Sequence, residues 1–360
     1  MMRYGWKGMA VLFFAALVLD VAAADPDYTH YAYDTTGQSI DFGVQPLAFP
    51  IALIAETMRR DLTLRAALAK RGGELRQHPF AKGTDMFDPL AEGKLDAVIL
   101  GDTPTLLATA KHDLLIVALA KQSYSAVVAR KYMRPSELKG QKIGYAHATT
   151  AHYTLLEGLA SVGLGEKDVT LVKLNVSEMP GALAAGTIDA FAAWEPTPTV
   201  ALNKVPGSAI IYKGINSTYL LLDRAFVEKS PERARHFIAA YVRAIYWMQQ
   251  NRQNLERAAQ WALEANQHFA GRPPGLTVAQ AANIARNELL EVAAIPMIPK
   301  REETPQGTLY KQFEFLKKMG TIDTGIGWPR IADSIARNLL RDVLANPAPY
   351  GGLQTFNYER

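Results

Sequence analysis

The run Ile143-Gly-Tyr-Ala-His-Ala-Thr-Thr-Ala-His-Tyr-Thr-Leu155 passes from an apolar strand through two hydroxyl residues directly into a helix. Such a turn suits an anion. The first turn of a helix holds backbone N–H groups without intrahelical partners at the positive end of the macrodipole, and Thr149 and Thr150 add hydroxyls at the same point. A plain N-cap by one of the threonines is the competing reading. His152 falls inside the helix start. The seven histidines show no paired metal-ligand spacing, so no metal and no cofactor is expected.

Three more strand-to-helix turns offer polar groups. In Gln45-Pro46-Leu47-Ala48 the free N–H groups of a following helix would point inward, with Gln45 as a direct contact. In Gly101-Asp102-Thr103-Pro104 the Thr103 hydroxyl is the better donor to an anion, because a carboxylate at Asp102 repels one and suits an N-cap instead. In Trp194-Glu195-Pro196 an acid facing a cleft would attract an ammonium or accept from an N–H, which favours an organic solute with a cationic or donor end. Two hydroxyl- and amide-rich runs, Gln122-Ser123-Tyr124-Ser125 and Asn216-Ser217-Thr218-Tyr219, add Gln122, Ser123 and Tyr219 as further contacts. Their alternative role is hinge residues bonded to backbone.

The elements that must position these groups alternate. Strands are expected at 39–44, 75–79, 95–100, 114–120, 143–146, 169–175, 190–194 and 208–212. Helices are expected at 49–69, 85–92, from 104, at 150–162 and at 179–185. This alternation predicts an α/β fold with mainly parallel sheets flanked by helices, and ligands in such sheets sit outside the carboxyl ends of the strands. Beyond Leu222 apolar residues recur at helical spacing over 231–250, 252–268, 277–290, 306–319 and 329–344.

Composition narrows the class. The 360 residues include no cysteine, which excludes a lipoprotein anchor, a disulfide scaffold and a thiol nucleophile. Arg3 and Lys7, an apolar run from Met9 to Leu19 and Ala22-Ala23-Ala24 read as a signal peptide over 1–24, cleaved for export to a periplasm. Removing Arg3, Lys7 and Asp20 takes the formal charge from +4 to +3. The basic residues are interspersed with acidic ones, so no nucleic-acid partner is expected. No G-x-S-x-G elbow or P-loop is present, so no enzyme is expected.

Ser136-Glu-Leu-Lys-Gly-Gln-Lys-Ile-Gly144, the Thr-Thr-Ala-His-Tyr turn and Gly181-Ala-Leu-Ala-Ala-Gly-Thr-Ile-Asp-Ala-Phe-Ala-Ala-Trp-Glu-Pro196 together resemble the solute-binding proteins of nitrate, sulfonate and taurine ABC importers. The resemblance covers about residues 38–345. It implies a two-lobed periplasmic binding protein fold of type II, with lobe I built from 38–121 and 220–345, lobe II from 122–219, and the ligand in the interlobe cleft. It also implies capture of a small organic anion such as a sulfonate or taurine by lobe closure, a membrane ABC permease as partner, and a monomer. Trp194 would then wall the pocket, and His152 would support the turn. One residue departs from the pattern: Ala148 stands where Gly usually precedes the two hydroxyls. Two other functions share the scaffold, action on a thiamine-pyrimidine-type heterocycle and a periplasmic sensory module.

Overall fold

The computed structural model describes residues 28–290 and 296–359. The expected signal peptide lies outside the described residues. Strand β1 (Ile40–Val44) leads to α1 (Ile51–Arg59) and α2 (Leu62–Ala69), then β2 (Leu75–Pro79), α3 (Phe87–Ala91), β3 (Ala97–Gly101) and α4 (Asp102–Lys111). The 16-residue β4 (Leu114–Ala129) follows. Then come β5 (Lys142–Tyr145), α5 (Thr150–Ala160), β6 (Thr170–Lys173), α6 (Met179–Ala185), β7 (Ala190–Ala193) and α7 (Thr197–Lys204). The 15-residue β8 (Ala209–Asp223) opens the helical remainder: α8 (Arg224–Lys229), α9 (Pro231–Gln250), α10 (Arg252–Ala270), α11 (Val278–Leu290), α12 (Thr308–Lys318), α13 (Trp328–Ala332) and α14 (Arg337–Ala345).

All eight strands form one sheet in the order β2-β1-β3-β8-β4-β7-β5-β6. The outer strands pair in parallel, β1 with β2 and β3, and β5 with β6 and β7, as expected of strand–helix–strand units. The centre is antiparallel, because β4 and β8 run beside each other from Leu114↔Asp223 to Ala129↔Ala209 and so cross from one half of the sheet to the other. The two lobes are thus joined by paired strands rather than by loops. Bulges interrupt this ladder between Ile116 and Ala118 and between Leu119 and Lys121, which bends the strands where the halves meet.

One core holds α1, α2, α9, α10, α11 and α14 against one face of the first half and continues under α5, α6 and α7 in the second. A separate core lies under α4, α12 and α13 on the opposite face of the first half, built on Phe80, Leu100, Tyr219 and Phe313.

Two expected helices break, each for a visible reason. The helix over 49–69 divides at Asp61, whose carboxylate accepts from Thr63 and Leu64 N–H and so starts α2 afresh. The helix over 329–344 divides because Ser334 to Ala336 bridge the exposed edge of β4: Ile116 N–H donates to Ser334 O at 2.7 Å and Ala336 N–H to Ile116 O at 2.9 Å. That bridge covers an open sheet edge.

Candidate functional site

A cavity lies where the carboxyl ends of β1, β3, β5 and β7 converge between the lobes. Gln45, Ala48 and Phe49 come from the turn after β1, Gly101 and Pro104 from that after β3, Thr149 and Thr150 from that after β5, and Trp194 from that after β7. The crossing strands supply Lys121, Ser125, Asn216 and Thr218. All four turns anticipated from the sequence therefore contribute to one wall.

The lobes touch around this cavity. Phe49 N–H donates to Glu195 O at 3.0 Å, and the Thr150 hydroxyl donates to Asp102 Oδ1 at 2.9 Å. Asp102 also accepts from Thr103 N–H, Ser217 N–H and the Gln312 amide. Four donors and no acceptor are the partner set of an ionised carboxylate, although complete burial pushes its pKa upward. Gly101 permits the approach, since a Cβ there would lie 2.4 Å from Thr150 Oγ1.

Those contacts change what the anion turn offers. The Thr149 hydroxyl donates to Ala146 O at 2.7 Å and accepts from His152 N–H, so it caps α5. Thr150 spends its proton on Asp102. The donors left at this end are the backbone N–H groups that open α5, which lack intrahelical partners by helix geometry. Ala148 supports the turn with φ = 56°, the one left-handed residue other than glycine among the described residues.

Elsewhere on the wall, Gln45 donates its amide N–H to Ile99 O at 2.7 Å, leaving its side-chain oxygen for the cavity. Asn216 likewise donates to Ser125 Oγ at 2.8 Å. Trp194 lines the wall at 9% exposed, and its buried Nε1 has no hydrogen-bond partner. Among the described residues, Lys121 is the single ionisable side chain on the wall. Its ammonium lies 2.5 Å from Glu288 Oε2, and the Ser123 hydroxyl lies 2.5 Å from Glu288 Oε1.

The structure brings Gln45, Thr149, Thr150 and Trp194 together on the wall and sets the other sequence candidates off it. Pro46 accepts from Asn266 through its carbonyl, and Leu47 lines an outer groove with Pro196 and Arg272. Thr103 accepts from Gln312 at 2.8 Å, and Gln122 donates to Ser217 Oγ at 3.4 Å. Ser123 is occupied by Glu288. His152 Nδ1 accepts from Ala148 N–H, which leaves Nε2 as the donor to Glu166; burial, with His147 beside it, lowers its pKa. Glu195 turns back to accept from Thr199 N–H at 3.4 Å in the first turn of α7, and burial raises its carboxyl pKa. Tyr219 is fully buried in the second core. Several wall residues were not among the sequence candidates, Ser125, Asn216, Thr218 and the charged Lys121 among them; the only signal for Lys121 was a charge closing the apolar run 114–120.

A family model described as the NMT1-like family matches residues 64–263. A protein of Bacillus subtilis (strain 168) named for binding aliphatic sulfonates is 25% identical over 233 residues, which is 62% of this chain and 68% of its own length. The taurine-binding periplasmic protein of Escherichia coli K12 is 27% identical over 121 residues, 32% of this chain and 38% of its own. Among solved structures, the alkanesulfonate-binding protein of Xanthomonas axonopodis pv. citri bound to MOPS aligns with a TM-score of 0.61 at 19% identity, covering 85% of this chain and 99% of its own. The periplasmic nitrate-binding protein of Synechocystis PCC 6803 aligns at 0.62 and 13% identity, covering 87% and 90%. These structures share the fold.

Proposed function

The chain belongs to the NMT1-like family, and from that membership we propose that it captures a small organic anion outside the cytoplasm and hands it to a membrane ABC permease. It is a solute-binding protein. Sulfonates are the favoured cargo. The observation that carries this reading is the cavity wall itself, where Lys121 and the N-terminus of α5 supply donors and Phe49, Ile51 and Trp194 supply apolar surface. An anionic head and a short apolar body suit those two surfaces.

Capture would work by closure. The Phe49–Glu195 and Thr150–Asp102 contacts join the lobes only when they are together, and a solute held by both lobes adds contacts available only in that state. The paired strands β4 and β8 form the hinge, and Gln122, Ser123, Ser217 and Tyr219 serve it rather than the solute. The crossing strands support lobe bounds of 38–121 and 220–345 on one side and 122–219 on the other. The free side-chain oxygens of Gln45 and Asn216 favour a solute that also carries an N–H donor, as an aminosulfonate does. Export to a periplasm is read from the leader; among the described residues no helix is long and apolar enough to cross a membrane.

The test is a thermal-shift panel on protein refolded from denaturant, to strip carried-over solute. A true ligand at about a hundred times its Kd adds roughly 2.7 kcal/mol of stability. Shifts confined to sulfonates or aminosulfonates support the reading. A response to N-heterocycles alone would replace it with the thiamine-pyrimidine alternative.

A further inference from the structure

Glu288 stands outside the cavity wall yet controls the one charge on it. It sits near the end of α11, which packs on β4, and its side chain is 3% exposed. Both carboxylate oxygens are taken, Oε2 by the Lys121 ammonium and Oε1 by the Ser123 hydroxyl, each at 2.5 Å. Lys121 is 4% exposed and is among the residues lining the cavity. Among the described residues, Glu195 on the turn before α7 also feels both charges, and burial together with Glu288 raises its carboxyl pKa. Lys121 and Glu288 by themselves sum to no net charge before any solute arrives.

We propose that Glu288 is the residue that sets the charge of the accepted solute: by matching Lys121 from behind the wall, it fits the cavity to monoanions and bars dianions. This rests on the anion-capture reading above. A monoanion entering such a site brings one charge, which the remaining Lys121 N–H bonds and the opening N–H groups of α5 offset. A dianion brings a second charge into a desolvated space whose one cation is already shared with a carboxylate. Attraction and repulsion are both strong in such a space.

The experiment compares ethanesulfonate with inorganic sulfate by calorimetry on solute-stripped protein, for the wild type, Glu288→Gln and Lys121→Met/Glu288→Gln. The glutamine keeps a partner for Ser123 and the side-chain volume while freeing the charge of Lys121. Ethanesulfonate should bind Glu288→Gln at least about tenfold more tightly than wild type, and its preference over sulfate should shrink by a similar factor. The double variant should lose that gain entirely. Should Glu288→Gln fold poorly alone, refolding on added ethanesulfonate reports the same gain, and failure of ethanesulfonate to restore the fold overturns the proposal. Unchanged affinity and selectivity in Glu288→Gln, with wild type binding ethanesulfonate normally, overturns the role of Glu288 and leaves anion capture standing. Absence of ethanesulfonate and sulfate binding in wild type overturns both.

Discussion

Replacing Gly101 with alanine should hold the lobes apart without disturbing either. Gly101 has φ = −62° and ψ = 165°, angles that alanine adopts freely, so the end of β3 is unstrained by the change. The added Cβ would lie 2.4 Å from Thr150 Oγ1. Carbon and oxygen need about 1 Å more than that, so either the lobes part by that amount or Thr150 rotates away. Both outcomes break the 2.9 Å bond from Thr150 to Asp102, because a separation near 3.9 Å is no hydrogen bond. A hydrogen bond to a charged group contributes roughly 1.5–3 kcal/mol, and each 1.4 kcal/mol is tenfold in affinity, so solute binding should weaken about 10- to 150-fold. Calorimetric titration with ethanesulfonate measures this directly. Thr150→Ala removes the clashing atom and the same bond, so the double variant should bind no worse than Thr150→Ala alone. Wild-type affinity in Gly101→Ala, or additive losses in the double variant, would refute the closure argument.

Three further perturbations probe the frame. Ala148→Gly should raise Tm by about 1–3 °C, because relief of a left-handed alanine, worth about 1–2 kcal/mol, is partly offset by glycine entropy of about 0.5–1 kcal/mol; a lower Tm in calorimetry would contradict the strain. Asp96 has its pKa raised to about 6, chiefly by burial and also by the Asp41 and Asp223 charges. Its folded form therefore binds more protons than the unfolded chain between about pH 4 and 6, and stability falls as pH rises through that window. Asp96→Asn should flatten Tm against pH across it and raise Tm at neutral pH, and an unchanged slope would count against this assignment. Arg243 is buried against Asp61 at 2.8 Å and donates to the carbonyls of Tyr350 and Gly352, tying the C-terminal residues to α2 and α9. Arg243→Met should cost about 3–5 kcal/mol in denaturant unfolding, and a loss below 1 kcal/mol would show the pair to be dispensable.

The sequence displayed the alternation of strand and helix because each β-α unit is an apolar run closed by a capping residue, and 231–250 and 179–185 emerged as helices at the same bounds. Elements set by distant partners were illegible. The polar runs 122–125 and 216–219 were expected as ligand contacts or hinge residues, yet they extend β4 and β8 because each satisfies the other's backbone. Asp61 and Ser334 ended helices through contacts that no local pattern announces. In the cavity, the turns were readable from their chemistry, while the use of each hydroxyl was not: Thr150 and Asp102 are far apart in sequence, and their bond turns a supposed ligand donor into an interlobe contact. Lys121 was invisible for the same reason, since its counter-charge lies 167 residues away on α11.

The most direct test of solute capture is a crystal grown with 2-bromoethanesulfonate, with the bromine located by its anomalous scattering. Capture in the interlobe cavity predicts a bromine peak against Trp194 and Phe49, with sulfonate oxygens within hydrogen-bond reach of Lys121 Nζ and the N–H groups that open α5. A bromine peak confined to the outer groove beside Leu47 and Arg272, or a closed cavity holding only water under saturating sulfonate, would contradict it.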